Sequence, residues 1–248
     1  HDRRYYVDGD PVIADSEYDR LFARLTNLEA EFDVETAGSP TQRVGAPPID
    51  EFETATHSTE LLSIEQSREL TSVREFGNRV TQETSGSASF VCEPKLDGIS
   101  LALYYEDGLL QQVVTRGDGE EGEVVTPNAK TVPSIPLRLP DDAPEYLVVR
   151  GELVMPREAF QQYNKEQIKA GDDPFANPRN AVAGTIRQKD PSVVAKRPLK
   201  FIAFDILESN YPFDTRRKAN HLLEELGFIS PPRLETAATI DDAIQYRN

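Results

Sequence analysis

The chain has 248 residues, a formal net charge of −16 and a single cysteine, Cys92. This length allows one large core, or one core with a small satellite domain, and one cysteine excludes a disulfide framework or a cysteine-based zinc site within the chain. No apolar run approaches the roughly 20 residues of a membrane helix, so we expect a cytoplasmic protein without a membrane partner.

The acidic composition argues, on average, against a polyanionic partner, because phosphate binding depends on Lys and Arg. Acidic surfaces with few lysines also suit proteins that stay soluble in high salt, where net charge is strongly screened. We therefore expect a salt-adapted organism, and a stability that peaks at low ionic strength would contradict this expectation.

The first segment predicts a small helical unit. Asp15 is suited to cap a helix whose apolar residues recur at helical spacing on one face, namely Tyr18, Leu21, Phe22, Leu25 and Leu28. Residues 36–52 are rich in Pro, Gly and Ser and predict a linker. We therefore expect two domains, 1–45 and 46–248.

The second domain begins with a predicted helix at about 66–82, whose inward residues are Leu70, Val73, Phe76 and Val80. The pattern then changes to period two, which predicts strands at 99–105, 109–116, 145–155 and 199–207, the first two joined as a hairpin.

Helices are predicted between and after these strands. One helix starts at Pro156, a favourable first helical residue, and another starts at Asn177–Pro178. The last runs from about Asp214 and stops at Gly227. Antiparallel hairpins with inserted helices indicate an α+β fold.

The segment KLDG, residues 95–98, is the first candidate for chemistry. If it continues a strand, Glu93, Lys95 and Asp97 share one face, which is costly to bury. One interpretation is a solvated edge strand followed by a turn. The other is a nucleophilic lysine, whose ordinary pKa of about 10.4 must be lowered by a metal ion or nearby arginines.

Four further residues are candidates, each with an ordinary alternative. Arg116 could bind a phosphate or ribose, or form a surface ion pair. Glu152 lies among apolar residues and either faces solvent or is half-buried against a sugar hydroxyl or metal. Arg179 and Arg187 lie within about 80° of each other on an ideal helix. They could form a phosphate site, or they could be surface arginines around a tightly packed helix.

Taken together, these motifs resemble the bacterial-type NAD-dependent DNA ligases. The matching segments run nearly the whole length of the chain: YYV near the start, then KLDG, TRGDG, VRGE and NPRNAVAGTIRQKDP. The resemblance implies an amino-terminal helical domain followed by an ATP-grasp-like nucleotidyltransferase (adenylation) domain of antiparallel sheets with inserted helices.

In this family Lys95 would take AMP from NAD, release nicotinamide mononucleotide, and pass the AMP to the 5′-phosphate of a nick in double-stranded DNA during replication and repair. The resemblance implies that Glu93 contacts adenine, that Arg116 and Glu152 contact the ribose and nearby phosphate, and that Arg179 and Arg187 lie towards the nick's phosphate. Asp97 would position Lys95 or a magnesium ion.

The resemblance also assigns the amino-terminal unit to recognition of nicotinamide mononucleotide, through Tyr5, Tyr6, Asp15, Tyr18 and Asp19. It places Ser63 and Ile64 near the adenylate. The segment around them departs from the family pattern, with Glu60 in place of proline and Gln66 in place of asparagine.

The family's later lysine motifs, oligonucleotide-binding barrel, zinc finger, helix-hairpin-helix region and BRCT domain have no counterpart in this sequence. We therefore expect an incomplete adenylation domain, monomeric, with zinc only in the absent part. The alternative function is a non-catalytic module that binds NAD or AMP; a purely structural domain is a third hypothesis.

Overall fold

The computed structural model describes residues 1, 4, 12–32, 34, 36–43, 49, 51–85 and 88–246. Within these residues there are eight α-helices and eight strands, besides a short 3-10 helix at Pro40–Arg43. The helices are α1 (Asp15–Phe32), α2 (Leu70–Glu83), α3 (Thr126–Lys130), α4 (Arg157–Ala170), α5 (Pro178–Ile186), α6 (Pro191–Ala195), α7 (Arg216–Glu225) and α8 (Ile240–Tyr246). The strands are β1 (Thr54–Thr56), β2 (Phe90–Cys92), β3 (Ile99–Glu106), β4 (Leu109–Thr115), β5 (Glu121–Glu123), β6 (Tyr146–Val154), β7 (Lys200–Ser209) and β8 (Glu235–Ala237).

The central element is a four-stranded antiparallel sheet in the order β4-β3-β6-β7. The predicted hairpin is confirmed: β3 and β4 pair, and the turn is Asp107–Gly108, with φ angles of 49° and 72°. A two-residue turn with positive φ at both positions matches the twist of a hairpin, which is why the Asp-Gly pair stands there. The other two predicted strands are β6 and β7, and the α+β prediction is confirmed.

The two faces of this sheet have different surroundings. One face carries the main core, where Leu101 and Leu103 of β3 and Val149 of β6 are fully buried beneath helices that include α5 and α7. The opposite face carries only a small buried cluster, made by Leu61, Ala102 and Val148. Side chains alternate along a strand, so Ser100, Arg150 and Glu152 lie on this second face.

One predicted helix start and one predicted helix end hold, whereas two predicted starts shift by a residue. Asn177 caps α5, its side chain accepting from the Asn180 amide, and α7 ends before Gly227, whose φ is +92°. Pro156 is the N-cap of α4 rather than its first helical residue. In α1 the Ala14 carbonyl accepts from the Glu17 and Tyr18 amides, so the helix begins at Asp15, which the sequence predicted as its cap.

The prediction of which α2 residues face inward is wrong in part. Leu70 and Phe76 are 41% and 47% exposed, and the one buried residue of the helix is Gly77. A Cβ on Gly77 would lie 2.6 Å from Ile240 Cβ, so α2 packs closely on α8, a helix that the sequence did not predict. The apolar face of α1 is similarly open, since Leu21, Phe22 and Leu28 are exposed. None of the helices in the described ranges is long and apolar enough to cross a membrane.

Candidate active site

The KLDG loop, residues 93–98 between β2 and β3, carries Lys95. It does not continue the strand, as the sequence pattern had suggested. β2 ends at Cys92 and β3 begins at Ile99, so Glu93, Lys95 and Asp97 lie in irregular backbone and do not share a strand face. Pro94 has no N–H to donate to a strand ladder, which explains why pairing stops there. Lys95 and Asp97 are exposed, whereas Glu93 is partly buried.

Glu152 fastens the end of this loop to the sheet. Its Oε1 accepts the Gly98 amide at 3.0 Å, and its residue is 8% exposed. A side chain on Gly98 would place Cβ 2.0 Å from the Leu153 carbonyl oxygen, so only glycine allows this close approach. Glu152 therefore does not face solvent, and its observed partner is the backbone of the KLDG segment.

The electrostatics of Glu152 follow from its position. Burial raises the pKa of this carboxyl, and the Gly98 hydrogen bond together with the charges of Arg179, Lys95 and Arg150 opposes that rise. The Glu152 side chain is thus largely buried, and the charges of three cations act on it; one of them is the exposed Lys95.

Glu93 has a different partner, Arg216 at the start of α7. Arg216 Nη2 lies 3.3 Å from Glu93 Oε1, and its Nη1 is in close contact with Asp205 of β7. The second oxygen of Glu93, Oε2, is buried and has no hydrogen-bond partner among the described residues. An acceptor of this kind fits a donor group on a ligand.

The segment after β1 crosses the second face of the sheet and is held by two arginines. Arg116 Nη1 donates to Ser63 Oγ at 3.3 Å, and Arg150 Nη2 donates to the Leu62 carbonyl at 3.0 Å. Burial lowers the pKa of Arg150, and the charge of Asp205 is the largest effect that opposes it. Ile64 is 70% exposed, so its side chain is open to a ligand.

His57 is a structural residue of this site that the sequence analysis missed. It is 8% exposed, its Nδ1 lies 3.0 Å from the Tyr104 hydroxyl, and its Nε2 lies 3.1 Å from the Thr115 carbonyl and 3.3 Å from that of Arg116. A nitrogen facing two carbonyls must carry the proton, so Nδ1 accepts from Tyr104. His57 thereby holds the strand end that presents Arg116.

The two arginines of the α5 segment have separate partners. Arg179 pairs with Asp97 at 3.4 Å, and Arg187, which lies just beyond the end of α5, pairs with Glu123 at 2.6 Å. The ideal-helix angle between them does not apply, because Arg187 is outside the helix.

Residues 49–248 match the family model described as NAD-dependent DNA ligase adenylation domain, and residues 1–45 match the DNA ligase-like, N-terminal NAD+-binding domain. This chain belongs to the NAD-dependent DNA ligases.

Curated relatives named DNA ligase agree with this membership. Those of Haloarcula marismortui and Haloferax volcanii are 49% and 48% identical over 100% of this chain, which covers 36% and 35% of their length. That of Fervidobacterium nodosum is 44% identical over 99% of the chain and 36% of its own length. The ligase chain described here thus spans about a third of the relatives it matches.

The amino-terminal residues predicted for this ligase family are only partly described. Tyr5 and Tyr6, together with the side chain of Asp15, lie outside the described residues. Asp19 is exposed on α1, and Tyr18 is half-buried with its ring centroid 6.2 Å from that of Phe22.

Metal donors for a ligase of this family are limited within the described part of the chain. No group of three or more His, Cys, Asp or Glu side chains there could hold a metal ion. Magnesium, however, binds through one or two carboxylates together with substrate phosphates and water. The Asp97 side chain, 74% exposed and two residues from Lys95, has the chemistry for that role.

Proposed function

We propose that this chain carries out the adenylation step of an NAD-dependent DNA ligase, with Lys95 as the nucleophile. The observation that carries the proposal is the setting of the KLDG loop. The exposed Lys95 lies in a loop that the buried Glu152 binds through the Gly98 amide, and its charge acts on Glu152. The same loop carries Glu93, whose Oε2 has no hydrogen-bond partner among the described residues. Family membership makes a nucleotide the expected occupant.

The proposed reaction exchanges one bond at phosphorus for another. The unprotonated Lys95 Nζ attacks the α-phosphorus of NAD, and an N–P bond forms. The bond from that phosphorus to the bridging oxygen breaks, so nicotinamide mononucleotide leaves with the oxygen and the electron pair. The proton that the lysine loses passes to solvent. Magnesium on the phosphates would neutralise charge during this transfer.

The remaining residues have binding roles in this proposal. Glu93 accepts from adenine, Arg116 and Glu152 contact ribose and phosphate, and Ser63 and Ile64 lie beside the adenylate. Asp97 would orient Lys95 or hold magnesium. Residues 1–45, with Tyr5, Tyr6, Asp15, Tyr18 and Asp19, would recognise nicotinamide mononucleotide, and 46–248 would form the adenylation domain.

In the whole ligase, AMP would then pass to the 5′-phosphate of nicked double-stranded DNA. Arg179 and Arg187 are exposed enough to exchange their present carboxylate partners for DNA phosphate, since exposed ion pairs contribute only about 0–1 kcal/mol. We propose a monomer that acts in the cytoplasm in replication and repair.

Intact-protein mass spectrometry tests the proposal. The parent, Lys95→Ala and Lys218→Ala are incubated with NAD and magnesium in high salt. Lys218 is an exposed lysine paired with Asp214 and serves as the matched control. We expect one added adenylate on the parent and on Lys218→Ala, and none on Lys95→Ala.

Three other outcomes decide against the proposal. An adduct that persists in Lys95→Ala would assign the nucleophile elsewhere. A parent that binds NAD in calorimetry but never gains the adduct would instead be a non-catalytic binding module, and a parent that does neither at millimolar NAD would be a structural domain.

A further inference from the structure

Arg216 lies between two carboxylates from different parts of the chain. It is the first residue of α7, where Thr215 caps the helix by accepting from the Lys218 amide. Its guanidinium contacts Glu93 in the KLDG loop and Asp205 in the edge strand β7. The three side chains are between 29% and 33% exposed, so water competes with these contacts less than at an open surface.

The guanidinium geometry fixes one oxygen of Glu93 and leaves the other free. Arginine has a planar fork with donors in several directions, so one end can hold Asp205 while the other holds Glu93. Glu93 Oε1 is 3.3 Å from Arg216 Nη2, and Oε2 is buried without a hydrogen-bond partner in the described part of the chain. Asp205 holds the other end of the guanidinium, which favours this arrangement in which Arg216 contacts only one oxygen of Glu93.

An unpaired buried carboxylate oxygen is costly unless a ligand supplies a donor. Burial raises the pKa of Glu93, and the charge and hydrogen bond of Arg216 oppose that effect. Arg216 therefore limits the rise in the pKa of Glu93 that burial causes.

We propose that Arg216, anchored by Asp205, is a positioning residue that aims the free oxygen of Glu93 at the 6-amino group of a purine and so makes the site selective for amino over oxo purine dinucleotides. This inference rests on the proposed function, in which Glu93 faces the base. A 6-oxo purine would present an acceptor to a carboxylate oxygen, and two acceptors facing each other repel.

The test compares NAD with nicotinamide hypoxanthine dinucleotide, which differs by having oxygen at the 6-position. The measured quantity is the ratio of the two rates of Lys95 adenylation, with the ratio of dissociation constants from calorimetry as the second readout. We expect the parent to favour NAD by about 100-fold or more, since sites built around a hydrogen bond reject analogues that lack the donor.

Three variants separate positioning from general damage. Arg216→Ala should reduce the NAD preference by about tenfold or more, because Glu93 loses its anchor. Asp205→Asn, which keeps the side-chain size, should reduce it by a smaller factor. Arg217→Ala is the matched control, since this neighbouring arginine contacts Thr236 instead, and it should keep the parent ratio. Circular dichroism confirms that each variant is folded.

The outcomes distinguish this inference from the proposed function. If Arg216→Ala slows reaction with both dinucleotides equally and leaves the ratio within twofold of the parent, the positioning role is refuted while adenylation stands. A parent that discriminates less than threefold also refutes it. If the parent neither binds NAD nor gains an adduct, the proposed function fails, and this inference fails with it.

Discussion

Gly98→Ala tests whether the KLDG loop depends on its contact with the sheet. The backbone of Gly98 does not have a positive φ, so alanine meets no conformational penalty there. Its Cβ, however, would lie 2.0 Å from the Leu153 carbonyl oxygen and 3.0 Å from Val154 Cγ1. The start of β3 must therefore move away from β6, and the Gly98 hydrogen bond to Glu152 must lengthen or break.

The cost of Gly98→Ala has two parts. Overpacking against fixed backbone costs about 1–3 kcal/mol, and losing a hydrogen bond to a buried carboxylate costs about 1.5–3 kcal/mol. We therefore expect a loss of about 2.5–6 kcal/mol in the free energy of unfolding, together with loss of the Lys95 adduct, because the loop shifts with Gly98.

Urea unfolding followed by circular dichroism measures this loss. Gly171→Ala is the control, since its Cβ would meet nothing within 4 Å and its φ of +88° imposes only the left-handed penalty of about 1–2 kcal/mol. Equal losses in the two variants, with the adduct still forming in Gly98→Ala, would refute the close-approach argument. In the Glu152→Gln background, Gly98→Ala should cost less free energy of unfolding than it does in the parent, because both changes affect one hydrogen bond.

Three further substitutions follow from the same structure. Burial raises the pKa of the Glu152 carboxyl above 4.5. The stability that its protonated form contributes is therefore present at low pH and is lost as pH rises through the raised pKa. Glu152→Gln should thus have a higher free energy of unfolding than the parent at pH 8 but not near pH 4, and urea unfolding at the two pH values measures this difference. His57→Ala removes a hydrogen-bond partner from two backbone carbonyls and from the Tyr104 hydroxyl. It should lower the free energy of unfolding by about 2–4 kcal/mol, against about 1 kcal/mol for Tyr104→Phe; equal losses would contradict the assigned contacts. Gly77→Leu should detach α8 from α2, because Ile240 already fills that space, and limited proteolysis should then cleave α8 while the central sheet stays protected.

Local sequence patterns were sufficient to predict the strands of the central sheet and several of the helices. Alternating apolar residues and the Asp107–Gly108 turn predicted the β3–β4 hairpin, and Asn177 with Pro178 predicted the start of α5, because these signals act within a few residues. They failed at the KLDG loop, where Pro94 ends the pairing of β2. The alternation of residue types continued through Glu93, Lys95 and Asp97, although the strand ended at Cys92.

Long-range contacts account for what the sequence could not show. Leu70 and Phe76 have helical spacing, but the partner of α2 is α8, more than 150 residues later, and it packs on Gly77 rather than on the apolar side chains. Arg216 gave no signal as a site residue for the same reason, since it meets Glu93 from 123 positions away. Residue identity predicts a hydrogen-bonding capacity, whereas the fold decides the partner.

The electrostatics of the site also depend on the fold rather than on composition. A net charge of −16 would repel an anionic dinucleotide, yet Lys95, Arg116 and Arg150 are all carried by the KLDG loop or by the second face of the sheet. The screening length falls from about 10 Å at 0.1 M salt to about 3 Å at 1 M. High salt therefore weakens repulsion from the distant acidic surface far more than it weakens ion contacts of about 3 Å, so an acidic chain can still offer these local cations to the anionic dinucleotide that we propose as its ligand.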